Sequence, residues 1–248
     1  LRGGAAMGRA KEIELRVIPA SIANPFVKKH HYSGKVVNNS KVHFGAFLDG
    51  NLHGVMSYGS STDKSKIIGL VEGTGWNEFL ELNRMAFDDY LPRNSESRCI
   101  AQSIRLIKKQ APHIKWIISF ADGCQCGDGT IYRASGFILT GIKPNKSIIL
   151  FPSGHRIAQI TVTAEWNSPQ MKEECRLLHV EHKYRPASEY IKLGAKYLSG
   201  YQLRYIYFID KSYRERLTVK ELPFDTIDKM NAGMYKGETI SLKARREE

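Results

Sequence analysis

Ser119-Phe120-Ala121-Asp122 closes an apolar stretch, Lys115–Phe120, whose length and composition predict a buried strand. Sheets of α/β proteins place ligands beyond the carboxyl ends of their strands, which is where Asp122 falls. A glycine-rich loop, Asp122–Gly129, leads into a short helix predicted over Thr130–Ser135, with Tyr132 on its first turn and directed back toward the same crevice. A carboxylate and a phenol so placed are suited to act as base and acid in an acyl or amine transfer. Turn capping by Asp122 and ordinary packing of Tyr132 are the competing readings.

A second group stands at Arg93-Asn94-Ser95-Glu96-Ser97-Arg98, where a polar loop (Asp88–Glu96) meets a helix expected over Ser97–Gln110. Unpaired N–H groups at a helix start, flanked by two arginines, can hold a phosphate, so Arg93, Asn94, Ser95, Ser97 and Arg98 are donor- or phosphate-binding candidates. Asn94 or Ser95 can equally cap the helix. Glu81 and Asn83 alternate with Leu82 and Arg84 along a strand centred on Leu80–Ala86, which assigns Glu81 and Asn83 to one face and Leu82 and Arg84 to the other. The run His30-His31-Tyr32-Ser33-Gly34-Lys35 ends a helix; adjacent histidines diverge there and make a poor metal pair. Cys124-x-Cys126 lacks a second pair, so no metal is assigned.

The elements that must position these groups follow from pattern. Glu12–Ile18 alternates like a half-buried strand, and Ser21–His31 reads as a helix that tolerates Pro25 only near its first turn. Val42–Leu48 and Leu52–Tyr58 flank Asp49-Gly50, a hairpin signal. Phe137–Gly141 and Ser147–Phe151 complete a mixed α/β pattern with an antiparallel start and a βαβ centre. Beyond Arg156 come two helical stretches, Glu173–His182 and Ala187–Leu198, and an aromatic strand, Gln202–Ile209. Leu1–Ala6 reads as an extraneous leader, 7–155 as a catalytic core, 156–235 as an extension and 236–248 as a frayed tail.

The chain has 248 residues and 37 Lys plus Arg against 25 Asp plus Glu, a formal charge of +12, with 42% hydrophobic residues. That composition folds, and the positive surplus favours a polyanion, because each neutralised phosphate releases a counterion. Apolar runs are too short for a membrane helix, and four scattered cysteines indicate a reducing compartment, taken as the cytoplasm. Residues 201–220 interleave five Lys or Arg with five Tyr or Phe, a composition that suits a nucleic-acid groove as well as a packed strand. Arg204, Lys211, Arg214 and Arg216 are candidates there, with Arg133 beside Tyr132. A base extruded from a duplex would stack on Tyr32, Tyr58 or Trp76.

His31-Tyr32-Ser33, Phe44-Gly45-Ala46-Phe47, Glu81-Leu82-Asn83-Arg84, Ser119-Phe120-Ala121-Asp122 and Gly129-Thr130-Ile131-Tyr132-Arg133-Ala134 occur in the order found in the phage Mom family. The resemblance covers about Ile13 to Phe151, and that family is similar in fold to the GCN5-related N-acetyltransferases. It implies conversion of adenine in DNA to a carbamoylmethyl (glycinamide) derivative that protects phage DNA from restriction. It also adds Ser119, Glu81 and His31 to Asp122 and Tyr132 as catalytic residues and groups Arg84 with the donor site. Acetyltransferases of that fold carry Arg/Gln-x-x-Gly-x-Gly/Ala at the coenzyme loop, whereas Arg93-x-x-Glu96-x-Arg98 stands here. Glu96 and Arg98 obstruct close approach of a pyrophosphate, so glycyl-tRNA is favoured over acetyl-CoA as donor. DNA and charged tRNA are the expected partners, with no membrane and with a dimer left open. An acyl-CoA-dependent N-acetyltransferase and a non-catalytic nucleic-acid-binding protein are the alternatives.

Overall fold

A computed structural model describes residues 8–124, 127–235 and 238–239. The leader 1–6, Cys126, and the tail 236–248 apart from 238–239 lie outside the described residues. In chain order the elements are β1 (Glu14–Ile18), α1 (Ala20–His30), β2 (Ser40–Leu48), β3 (Asn51–Gly59), α2 (Lys64–Ile67), β4 (Phe79–Phe87), α3 (Ser95–Gln110), β5 (Trp116–Asp122) and α4 (Thr130–Ala134). There follow β6 (Ile138–Pro144), β7 (Ile148–Leu150), β8 (Arg156–Ala158), α5 (Gln159–Ala164), α6 (Pro169–Leu177), α7 (Ala187–Lys192), β9 (Lys196–Tyr197), β10 (Tyr201–Phe208), α8 (Thr226–Lys229), β11 (Met234–Tyr235) and β12 (Glu238–Thr239).

A seven-stranded sheet in the order β1-β2-β3-β4-β5-β10-β6 forms the centre. It is mixed: β1 to β4 pair antiparallel and β4 pairs parallel with β5. The β2–β3 hairpin turns on Asp49 (φ 52°) and Gly50 (φ 77°), the two positive angles that Asp-Gly supplies at low cost. Helix α1 runs through Pro25 into its second turn, further than its sequence allows by itself. The buried side chains of Ala23 and Val27, packed with Ile18, Val55 and Ala86, offset the lost backbone bond. Helix α3 begins at Ser95, two residues earlier than expected, and buries Ile100, Ile104 and Ile107 on one face.

The chain forms two compact units, and their limits differ from a division at residue 155. The first comprises 1–121, 129–141 and 203–226; the second comprises 122–128, 142–202 and 227–248. Strand β10, expected in a separate extension, is a strand of the central sheet. In the first unit Trp116 stacks on Phe79 with ring centroids 4.4 Å apart, in a core shared with Ile118, Ile206 and Phe208. The second unit has its own core, including Ile149, Phe151, Val162, Met171, Cys175 and Tyr190. There α6 stops at Leu177, and α7 spans only Ala187–Lys192 because Gly194 turns the backbone at φ 97° and the chain continues as β9. The helix expected over Glu173–His182 is therefore displaced to Pro169–Leu177, and the one expected over Ala187–Leu198 is shorter than its pattern suggested. Among the described residues no helix is long and apolar enough to cross a membrane.

Candidate active site

Strand β4 carries the feature on which the site is built. Glu81 stands opposite Gly59, Leu82 opposite Tyr58 and Arg84 opposite Ser57, so Asn83 is an extra residue bulged out of the ladder. Positions 57 and 59 of β3 share a face, and the bulge therefore turns Arg84 onto the side of Glu81. Strict alternation had put Arg84 on the opposite face; the bulge corrects that assignment. On the other side of β4 the parallel pairing with β5 ends at Glu81–Ile118, although both strands continue. Just past that point the buried Ser119 hydroxyl donates to the Leu82 carbonyl at 3.0 Å. Ser119, expected among the catalytic residues, thus holds the fork between the two strands.

Around the bulge polar groups gather. Arg84 donates from Nε to the Lys35 carbonyl at 2.9 Å and from Nη1 to the Asn83 carbonyl at 2.6 Å, which aims the rest of its fork. Burial pushes its pKa down, while Tyr32 and Glu81 favour the charge. Glu81 is less acidic than an ordinary carboxyl, chiefly through burial, with the Ser61 hydroxyl and Arg84 acting against that shift. Asn83 accepts from the Ser40 hydroxyl at 2.9 Å.

His31, just past the end of α1, completes the group. Its Nδ1 accepts the Ser33 backbone N–H at 3.1 Å and lies 2.7 Å from the Ser33 hydroxyl. A ring nitrogen that accepts from an amide carries no proton, so the neutral ring holds its proton on Nε2. Burial, and then the Arg84 charge, lower its pKa to about 4. At neutral pH this imidazole is a hydrogen-bond donor through Nε2 rather than a base. Tyr32 lies against it, ring centroids 4.2 Å apart, and is half exposed.

Tyr132 is buried at the first turn of α4, against Phe137 and Tyr205. Gly129 (φ 79°) before it admits no side chain, since a Cβ there would stand 2.6 Å from Tyr205 and 2.9 Å from Tyr132. Asp122 belongs to the second unit. Its Oδ1 accepts the Cys124 N–H and the Asn145 Nδ2–H, each at 3.0 Å, and burial makes it less acidic than usual. The turn-capping role weighed for it is therefore real.

Other sequence assignments are redistributed. At the start of α3 neither Asn94 nor Ser95 caps through its side chain: Asn94 is left-handed (φ 68°), and the buried Ser95 hydroxyl donates back to Pro92 at 2.5 Å. Ser97 likewise donates to the Asn94 carbonyl. Arg93 is exposed, while Arg98 donates from Nη2 to the Lys11 carbonyl at 3.3 Å. Tyr58 is fully buried with its hydroxyl 2.6 Å from Ser103 and cannot stack on a base. Arg204 is tied to Thr140, through Nε at 3.0 Å and Nη2 at 2.6 Å, and stitches β10 to β6 instead of facing nucleic acid. Tyr205, Phe208 and Tyr213 are core residues, so the aromatics of 201–220 pack more than they display. Arg214 pairs with Glu221, Arg216 covers Tyr213, Lys211 covers Tyr207, and Arg133 bonds Thr130 and lies over Phe224. Sequence reading missed the Lys35 carbonyl, which has no side-chain signature, and Ser61, distant in sequence from Glu81.

These observations define a mixed α/β protein whose central sheet forks at a bulged strand and gathers there a guanidinium, a carboxyl and a neutral imidazole. The chain belongs to the Mom protein family, matching it over residues 12–226, well past the limit of the motifs. It is 32% identical over 215 residues to the methylcarbamoylase Mom of Escherichia phage Mu, a similarity covering 85% of this chain and 81% of that protein. Among solved structures it is similar to the ribosomal-protein-S18-alanine N-acetyltransferase of Escherichia coli, with 9% identity, a TM-score of 0.43, and coverage of 79% of this chain and 94% of that one. It is similar too to a Bacillus subtilis acetyltransferase in complex with CoA, with 11% identity, a TM-score of 0.42, and coverage of 79% and 97%.

Proposed function

We propose that this protein is a DNA-modifying transferase that converts adenine to its carbamoylmethyl (glycinamide) derivative, a modification that shields phage DNA from restriction. The observation that carries the reading is the similarity to the phage Mu methylcarbamoylase over most of both chains. The group gathered at β4 suits such chemistry. Arg84 and the His31 Nε2–H are preorganised donors for an oxygen that gains negative charge in an acyl transfer, and Glu81 balances the Arg84 charge. Asp122 is the proposed base and Tyr132 the proposed acid, as their residue types suggest.

The product adds to adenine the atoms of a glycyl group, so the proposed donor is glycyl-tRNA. The exocyclic amine attacks the ester carbonyl; a C–N bond forms, the bond to the ribose oxygen breaks, the amine gives up one proton to the base, and the acid delivers one to the departing ribose oxygen. The freed glycyl amine then attacks the adjacent ring carbon through a five-membered ring. Expulsion of the original nitrogen leaves it as the terminal amide. Incubation with DNA and labelled glycine, either free or esterified to tRNA, followed by nucleoside mass spectrometry, is expected to show the label in adenine only when the glycine is carried on tRNA. Label without tRNA would remove the donor assignment, and an unmodified adenine pool would remove the activity.

A further inference from the structure

Trp76 is 57% exposed, an unusual placement for the largest side chain in a protein with a complete core of its own. It is not a loose ring. The Glu78 N–H donates to the Gly75 carbonyl at 3.0 Å and the Gly75 N–H to the Glu78 carboxylate at 2.7 Å, closing a tight turn with Trp76 at its tip. The Lys64 ammonium sits 4.5 Å from the Trp76 ring centroid and 5.6 Å from that of the buried Phe79, with Asn77 within 3.5 Å. Burial disfavours the charge on Lys64, and the like charge of Lys41 adds to that effect. A phosphate meeting the Lys64 ammonium would favour its charge. The nearby acids are engaged elsewhere, Asp63 with Lys66 at 2.7 Å and Glu78 with the Gly75 N–H and the Tyr213 hydroxyl.

The patch is also joined to the proposed chemistry along the chain. The turn bearing Trp76 leads directly into β4, five residues ahead of Glu81. A ring with a cation on it, able also to reach a phosphate, matches an unpaired stretch of nucleic acid, where bases present π-faces and the backbone presents charge.

We propose that Trp76, with Lys64, is the surface on which a single-stranded or locally unpaired segment of DNA is held, a base stacking on the indole and a phosphate meeting the Lys64 ammonium. The choice of DNA rests on the function proposed above. Fluorescence anisotropy of the whole protein with a labelled single-stranded DNA oligonucleotide tests it. Trp76→Ala is expected to weaken binding by about fivefold or more, and Trp76→Phe by much less. Lys64→Gln is expected to make the salt dependence shallower by about one phosphate contact. In the unsubstituted protein the oligonucleotide is expected to quench tryptophan emission, and that quenching is expected to vanish in Trp76→Phe, whose ring still packs. Unchanged affinity in Trp76→Ala together with absent quenching would overturn the proposal. So would a loss confined to charged tRNA with DNA binding intact. Modified adenine is measured separately, so a protein that makes no product but binds DNA through Trp76 refutes the activity and supports the surface.

Discussion

At Arg84 two backbone carbonyls fix the plane of the guanidinium, and the identity of the residue therefore matters beyond its charge. Arg84→Lys preserves the charge but cannot reproduce two aimed bonds and a free edge, and about a hundredfold loss of product formation with near-normal melting is the expected outcome in the nucleoside mass assay. His31 makes a prediction through pH. Its pKa falls from about 6.5 unfolded to about 4 folded, so above pH 6.5 both states are neutral and it contributes no pH dependence. Between pH 6.5 and 4 the unfolded chain binds the proton and the folded one resists, so stability falls as the solution is acidified. Urea titrations across that range are expected to be flatter for His31→Gln. Asp122→Asn retains an oxygen able to accept from Cys124 and Asn145 while removing basicity. Intact melting with product lost is expected; full activity would reduce Asp122 to a turn residue.

Elements decide which of these residues meet. The hairpin that places β3 beside β4 depends on two left-handed positions, and Gly50→Ala, although nothing lies within 4 Å of the added methyl, is expected to cost about 1 kcal/mol in a denaturant melt. That hairpin was legible in the sequence because Asp-Gly between alternating runs is a local signal. So were α3, through its repeating isoleucines, and the strands β4 and β5. The bulge at Asn83 was not, since an extra residue in one strand has meaning only against the partner strand. It is the bulge that sets Arg84 on the side of Glu81, so the face assignment drawn from alternation failed at the point where the proposed chemistry sits.

For the whole molecule, the sheet is anchored by Trp116, fully buried and stacked on Phe79. Trp116→Ala is expected to cost about 3–5 kcal/mol, read as a lower denaturation midpoint, because the surrounding strands cannot collapse into the vacated space. The positive surplus of the chain was plain from composition, but its use was not. Arg204 is consumed within the sheet, Arg214 is paired, and Arg216 and Lys211 cover tyrosine rings, whereas Lys64, which drew no notice in sequence, stands on an exposed indole.

The order of residues alone determined the mixed α/β class, the main hairpin, the long helix and the motifs that mark the Mom family, because each of these is written in neighbouring positions. Tertiary structure alone decided that β10 joins the central sheet, that Tyr58 and Tyr205 are buried, and that the charge of Arg84 bears on both His31 and Glu81. Those outcomes depend on pairing and burial between distant segments, and free energies of that kind have no local signature in a chain.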